Sequence, residues 1–121
     1  MVKLYGIPNC NTVKKARVWL DEQGIAYEFH DFKKQGVSPE LISDWLAQQP
    51  WEKLVNRAGM TWRGLADEAK AAVRDDESAL ALMLEKTSVI KRPVLVSEGR
   101  ILQLGFDEAA YRNLLINKVT S

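Results

Sequence analysis

The chain has 121 residues, 46% of them hydrophobic, which suits one compact domain with its own core and leaves little room for a second. Seventeen basic residues against 16 acidic give a net charge of +1, so the broad basic footprint of a nucleic-acid-binding protein is absent, and direct nucleic-acid binding is not expected. One cysteine and one histidine exclude both an internal disulfide and a thiolate or imidazole metal cage built by one chain.

A lone thiol suits a reducing compartment. Met1-Val2-Lys3-Leu4-Tyr5-Gly6 lacks the long apolar core of a signal peptide, and no apolar run is long enough for a membrane span, so a cytoplasmic protein away from membranes is expected. Residues 2–5 form a short apolar run closed by Gly6 and Pro8, the pattern of a buried strand. A helix follows: Val13, Ala16 and Leu20 recur at helical spacing, Val18 and Trp19 broaden the stripe, Lys14, Lys15, Asp21 and Glu22 face water, and Gly24 ends it. Residues 25–32 return as a strand in which Tyr27 and Phe29 alternate with Glu28 and His30. His30 reads as a strand-end residue rather than a ligand or base.

Ser38-Pro39-Glu40 opens another helix, with a capping hydroxyl, proline at the first helical position and an acid near the positive end. Leu41, Ile42, Trp45 and Leu46 supply its buried face, and Pro50 ends it. Further helices are expected over 51–57, 65–73 and 77–85, so that 38–86 reads as helical throughout. The tryptophans fall at helical spacing and are assigned to packing, not to base stacking. Pro93-Val94-Leu95-Val96, the turn-rich Ser97-Glu98-Gly99-Arg100 and Ile101-Leu102 then read as a hairpin. Asp107 caps a last helix whose apolar face is Ala110, Tyr111, Leu114 and Leu115. The order is β-α-β, helical insert, β-β-α. It predicts an α/β thioredoxin-like fold with a mixed central sheet and an inserted helical subdomain, as one domain over 1–121 with its core at about 1–35 and 88–117 and the insert at about 38–86.

Cys10 stands where the first strand hands over to the first helix. The free N–H groups and positive dipole end of a helix N-terminus stabilise a thiolate there, whereas apolar burial would leave the thiol inert. A solitary cysteine is more often a small core residue than a nucleophile. Pro8, Asn9 and Asn11 beside it indicate an exposed turn instead. Lys14, one turn later, reads as a solvated lysine.

Four stretches then occur in a telling order: Asn9-Cys10-Asn11-Thr12, Leu54-Val55-Asn56-Arg57, Lys91-Arg92-Pro93-Val94-Leu95-Val96 and Gly105-Phe106-Asp107. With a helical insert between them, they resemble the ArsC/Spx family, most closely its small YffB-like members, over nearly the whole chain. The resemblance implies that Cys10 is the nucleophile and that Arg57 and Arg92 gather around it. It also implies substrate-binding roles for Asn9, Asn11, Thr12 and Pro93, and a cis Arg92–Pro93 bond facing the thiol. Guanidinium groups suit that role, because they offer fixed forks of donors to oxyanions and a nearby cation favours a thiolate.

With no second cysteine, an adduct on Cys10 needs a thiol from outside. Glutathione is the expected co-substrate, with a glutaredoxin as the protein alternative; no tightly bound cofactor and no metal are expected. The implied activity is that of a glutathione-dependent thiol-disulfide reductase. Two other readings stay open: an Spx-like transcriptional adaptor that binds the RNA polymerase α subunit, and a glutathione- or glutaredoxin-dependent arsenate reductase. Val13 replaces the second cysteine of the Spx-type switch, and no arginine stands in Leu104-Gly105-Phe106, where the glutathione-dependent arsenate reductases carry their third. Arg100 lies too early in the hairpin to replace it.

Overall fold

The computed structural model describes residues 1–117; positions 118–121 of the expected 1–121 domain lie outside it. The chain divides into two compact units, one made of residues 1–31 and the segment from Arg92 onward, the other Phe32–Lys91.

The first unit is built on a four-stranded sheet. Strand β1 (Val2–Gly6) is central, with β2 (Tyr27–Asp31) parallel to it on one side and β3 (Val94–Ser97) antiparallel on the other. Strand β4 (Arg100–Leu104) pairs with β3, giving the mixed order β2-β1-β3-β4. Inner strands lose both faces to the interior, which is why β3 buries Val94, Leu95 and Val96 in succession. Glu98 and Gly99, at φ 52° and 79°, form a two-residue turn between Ser97 and Arg100, and left-handed turn residues of this kind match the twist of a hairpin.

Helix α1 (Asn11–Glu22) follows β1, and Gly24 at φ 67° lets the chain leave it. Leu4, Ala16, Trp19, Leu20, Leu95 and Tyr111 form the buried cluster of this unit. Tyr111 lies on the C-terminal helix (Glu108–Leu115) and meets Trp19 edge to face at 5.9 Å. That helix is capped by Asp107, whose carboxylate accepts from the N–H groups of Ala109 and Ala110.

In the second unit a single turn α2 (Phe32–Gln35) precedes α3 (Pro39–Gln48), which starts as its sequence predicts, with the Ser38 hydroxyl accepting from Leu41 N–H at 3.1 Å. Then come α4 (Trp51–Leu54), α5 (Met60–Arg63), α6 (Asp67–Ala72), α7 (Asp76–Glu85) and a 3-10 turn, Thr87–Val89; the C-terminal helix of the first unit is therefore α8. A reciprocal capping box between Asp75 and Ser78 opens α7. Phe32 packs edge-on against Trp45, with ring centroids 6.4 Å apart.

Several boundaries differ from expectation. The strand expected over 25–32 begins at Tyr27, and Phe32 leaves the sheet to become a buried side chain of α2. The helix expected over 51–57 stops at Leu54, because Val55 is extended and bridges Ile90. Two short hydrogen bonds hold that bridge, Asn56 N–H to Val89 O and Lys91 N–H to Leu54 O, each 2.7 Å. Helix α5 falls within the stretch read as helical, between the helices delimited there, and the helix over 65–73 contracts to Asp67–Ala72. Val18, placed on the buried stripe of α1 by its spacing, is 55% exposed, whereas Trp19 beside it is buried. Trp45 is buried as expected of packing, and Trp51 and Trp62 are half-buried. Among the described residues no helix is long and apolar enough to cross a membrane.

Leu95 lies at the centre of the first unit with no exposed surface, so Leu95→Ala is expected to cost about 2–5 kcal/mol of stability. Met60→Ala, at an 82% exposed position, should stay within about 0.5 kcal/mol of the parent. Urea unfolding of the two variants beside the parent measures both.

Candidate functional site

The loop between β1 and α1 is short and pinned at both ends. The N–H of Cys10 donates to the carbonyl of Ile7 at 3.2 Å, closing a four-residue turn with Pro8 and Asn9 in its middle. Proline fits the second position of such a turn because its φ is already set, and asparagine tolerates the third. The carbonyl of Cys10 then accepts the first helical bond, from Lys14 N–H at 2.9 Å. Cys10 is therefore the N-cap of α1, with extended backbone angles of φ −90° and ψ 126°. Serine, threonine, asparagine or aspartate commonly fills such a position and turns a side-chain oxygen onto the second or third helical N–H. Here a sulfur stands in that place.

The Cys10 side chain accepts no capping hydrogen bond from the first turn of α1. The thiolate fares better. Partial burial is the largest single influence and disfavours its charge, but the N–H of Val13, a hydrogen bond from the Arg92 guanidinium, the N–H of Thr12 and the positive charge of Arg92 act together against it. Their sum lowers the Cys10 pKa below the ordinary thiol value. The thiol is half-buried, so it meets its stabilising donors while keeping a path to solvent.

Of the residues singled out in the sequence, the structure brings Cys10, Thr12 and Arg92 together. Thr12 contributes through its backbone. Asn9 and Asn11 flank the thiol in the chain and are exposed. The Arg92–Pro93 bond is cis, as the resemblance implied, and Pro93 is buried where β3 begins. The Pro93 carbonyl accepts from Gly105 N–H at 2.9 Å, extending the β3–β4 pairing by one step. Arg57 belongs to the second unit, where it is exposed and its guanidinium lies over the Trp51 ring at 5.5 Å. Lys14 is exposed, and His30 stacks on Tyr5 with centroids 4.8 Å apart. Among the described residues, no three His, Cys, Asp or Glu side chains gather as metal ligands.

One contributor escaped the sequence. Val13 was legible only as an apolar position of α1, and its side chain is indeed fully buried, but its N–H is also the foremost of the influences that lower the Cys10 pKa. Placing Cys10 at the N-cap would have revealed it, since the third helical residue is the usual partner of a capping side chain.

This chain matches the ArsC family over residues 5–114. It is 37% identical over 112 residues to an uncharacterised protein of Haemophilus influenzae, covering 93% of this chain and 96% of that one. It is 27% identical to the global transcriptional regulator Spx of Bacillus subtilis, over the whole of this chain and 92% of the regulator. Among solved structures, the YFFB (PA3664) protein superposes with a TM-score of 0.85 at 47% identity, covering 92% of this chain and 96% of its own. The thiol at the helix start, the mixed sheet and these matches agree, and the chain belongs to the ArsC family.

Proposed function

We propose that the protein is a cytoplasmic, glutathione-dependent thiol-disulfide reductase with Cys10 as its nucleophile. The observation that carries this reading is the convergence of Arg92 and the Val13 and Thr12 amides on the Cys10 sulfur. A sulfur whose pKa is lowered and that is left half-exposed suits attack on an electrophile better than core packing. The thiolate attacks one sulfur of a substrate disulfide; the new bond joins Cys10 to that sulfur, and the other leaves as a thiolate with the displaced electron pair. Glutathione thiolate then attacks the substrate sulfur of the mixed disulfide and expels Cys10. When the transferred half is itself glutathionyl, the products are a reduced substrate thiol and glutathione disulfide. Because the chain holds one cysteine, the second step needs an external thiol, glutathione or a glutaredoxin.

Arg92 holds the thiolate by both hydrogen bond and charge, and its fork remains suited to a carboxylate of an arriving peptide. Asn9, Asn11 and Pro93 are assigned to the same substrate face, and Arg57 to a second anion-binding role, on the strength of the family resemblance. Arsenate is the less suitable substrate. Where a third arginine would be needed, Gly105 is buried and Phe106 packs edge-on against Tyr111 at 4.8 Å.

A second reading rests on the full-length similarity to the Spx regulator, and assigns the chain as an adaptor for the RNA polymerase α subunit. The two separate cleanly by experiment. A reductase loses turnover of a glutathionyl mixed disulfide in Cys10→Ser, while wild type incubated with glutathione disulfide gains one glutathionyl group by intact mass. Full turnover by the serine variant refutes the nucleophile. An adaptor instead gives a complex with the α C-terminal domain that survives Cys10→Ser in a pull-down.

The pH dependence has a defined sign. Wild-type alkylation should inflect below the ordinary thiol value of about 8.5, and Arg92→Ala should move the inflection upward. An unchanged profile removes Arg92 from the site. Since folding lowers the Cys10 pKa, the thiolate stabilises the folded chain above the unfolded-state pKa, and that contribution is lost as pH falls through the lowered value. The stability of wild type relative to Cys10→Ser should therefore be greater at about pH 9.5 than at about pH 6, as read by urea unfolding at both values.

A further inference from the structure

We infer that the groove between α1 and the segment leading into α8 is a binding site for a small apolar carboxylate, with the indole N–H of Trp19 and the ammonium group of Lys15 as its donors. Neither Cys10 nor Arg92 lines this groove, so the inference goes beyond the reductase reading and stands or falls without it.

The cavity measures about 380 Å³, toward the lower end of ligand clefts, which run from about 300 to 1,000 Å³. Its apolar walls are Val18, Trp19 and Phe106. Val18 is 55% exposed and Phe106 half-buried, so both offer the groove apolar surface that a hydrocarbon chain would remove from water.

Trp19 sets the polar requirement. It is 4% exposed, and its Nε1 has no hydrogen-bond partner among the described residues. An indole nitrogen only donates, and a buried donor left without an acceptor costs free energy that an arriving acceptor recovers. Cations surround that donor. Lys15 stands one turn before Trp19 on the same face of α1, and helical side chains lean toward the N-terminus, so the indole is carried toward Lys15. Lys14 lines the groove beside it, and the Arg112 guanidinium lies over the Trp19 ring at 5.7 Å.

The two carboxylates of the groove do not cancel this charge. Among the described residues neither lysine forms an ion pair, with Glu22 and Glu108 or with any other acid. Glu22 comes two turns after Lys15, about 10 Å further along the helix axis. Glu108 stands in the first turn of α8, where the helix dipole favours its own charge. A carboxylate suits the lysine end because it has two oxygens, one for the indole N–H and one for the ammonium group. The rest of the ligand then lies along Val18 and Phe106.

The test is a nuclear magnetic resonance titration of the isotopically labelled protein with sodium octanoate, followed through the indole N–H signal of Trp19. That signal is the one lost in Trp19→Phe or, should the variant not fold, the one correlated through bonds with the Trp19 amide. It should move downfield and saturate, with half-saturation below about 5 mM, an affinity ordinary for so small a ligand. Lys15→Met keeps the apolar stem and removes the charge, and should raise the half-saturation concentration about two- to fivefold, the reach of one exposed ion pair. Octanol at equal concentration should leave the signal in place. A Trp19 signal that does not move at about 20 mM octanoate overturns the inference. So does equal movement with octanol, or an affinity unchanged in Lys15→Met. A signal that moves with protein concentration before octanoate is added marks a second copy of the chain as the occupant, and overturns it too.

Discussion

Everything in the candidate site depends on one substitution of chemistry: a sulfur occupies the position at which α1 would ordinarily take an oxygen cap. The first turn of any helix has amide hydrogens with no carbonyl to bind, and they need an acceptor from elsewhere. A thiol is a weak acceptor and a thiolate a strong one. The helix therefore satisfies its own N-terminus best when Cys10 is ionised, and Arg92 adds a cation from the start of β3 to the same end. Burial works against the charge and is the largest single influence on it, so the pKa falls below the ordinary thiol value only because several donors act together. The site is a balance, and moving any one donor changes its outcome.

The sheet supplies the rigidity this balance needs. β1 and β3 are neighbours in its middle, and from their adjacent ends come the cysteine loop on one side and the Arg92–Pro93 step on the other. Leu4 and Leu95 pair across those strands and are both fully buried. The same residues that hold the core thus fix the spacing between the chain at Cys10 and the chain at Arg92. Only the final reach of the arginine side chain is left to rotamer freedom.

Much of this was readable in advance, and the failures have physical causes. Strong local signals carried through: Ser38-Pro39 opens a helix, Asp107 caps another, Gly24 ends α1, and a continuous apolar run is an inner strand. What escaped was set by partners distant in sequence. Residues 51–57 carry helical text, but Val55 finds Ile90 and the pairing ends the helix at Leu54. Val18 sits within a plausible stripe, yet the neighbouring Trp19 takes the buried place. In the site, the side chains of Cys10 and Arg92 were legible because their chemistry is peculiar to their residue types. The Val13 amide was not, since every residue but proline has one and only its position makes it matter.

The caps of the other helices bring out what is unusual about α1. Ser38, Asp75 and Asp107 cap α3, α7 and α8 through oxygen atoms whose acceptor strength changes little under cellular chemistry. The cap of α1 is a thiol, and a bond formed at its sulfur would remove the negative charge that the amides and Arg92 favour. A covalently modified Cys10 would leave the first turn of α1 with weaker end-capping than the thiolate gives it. The capping of one helical turn would thereby depend on the chemical state of a single atom.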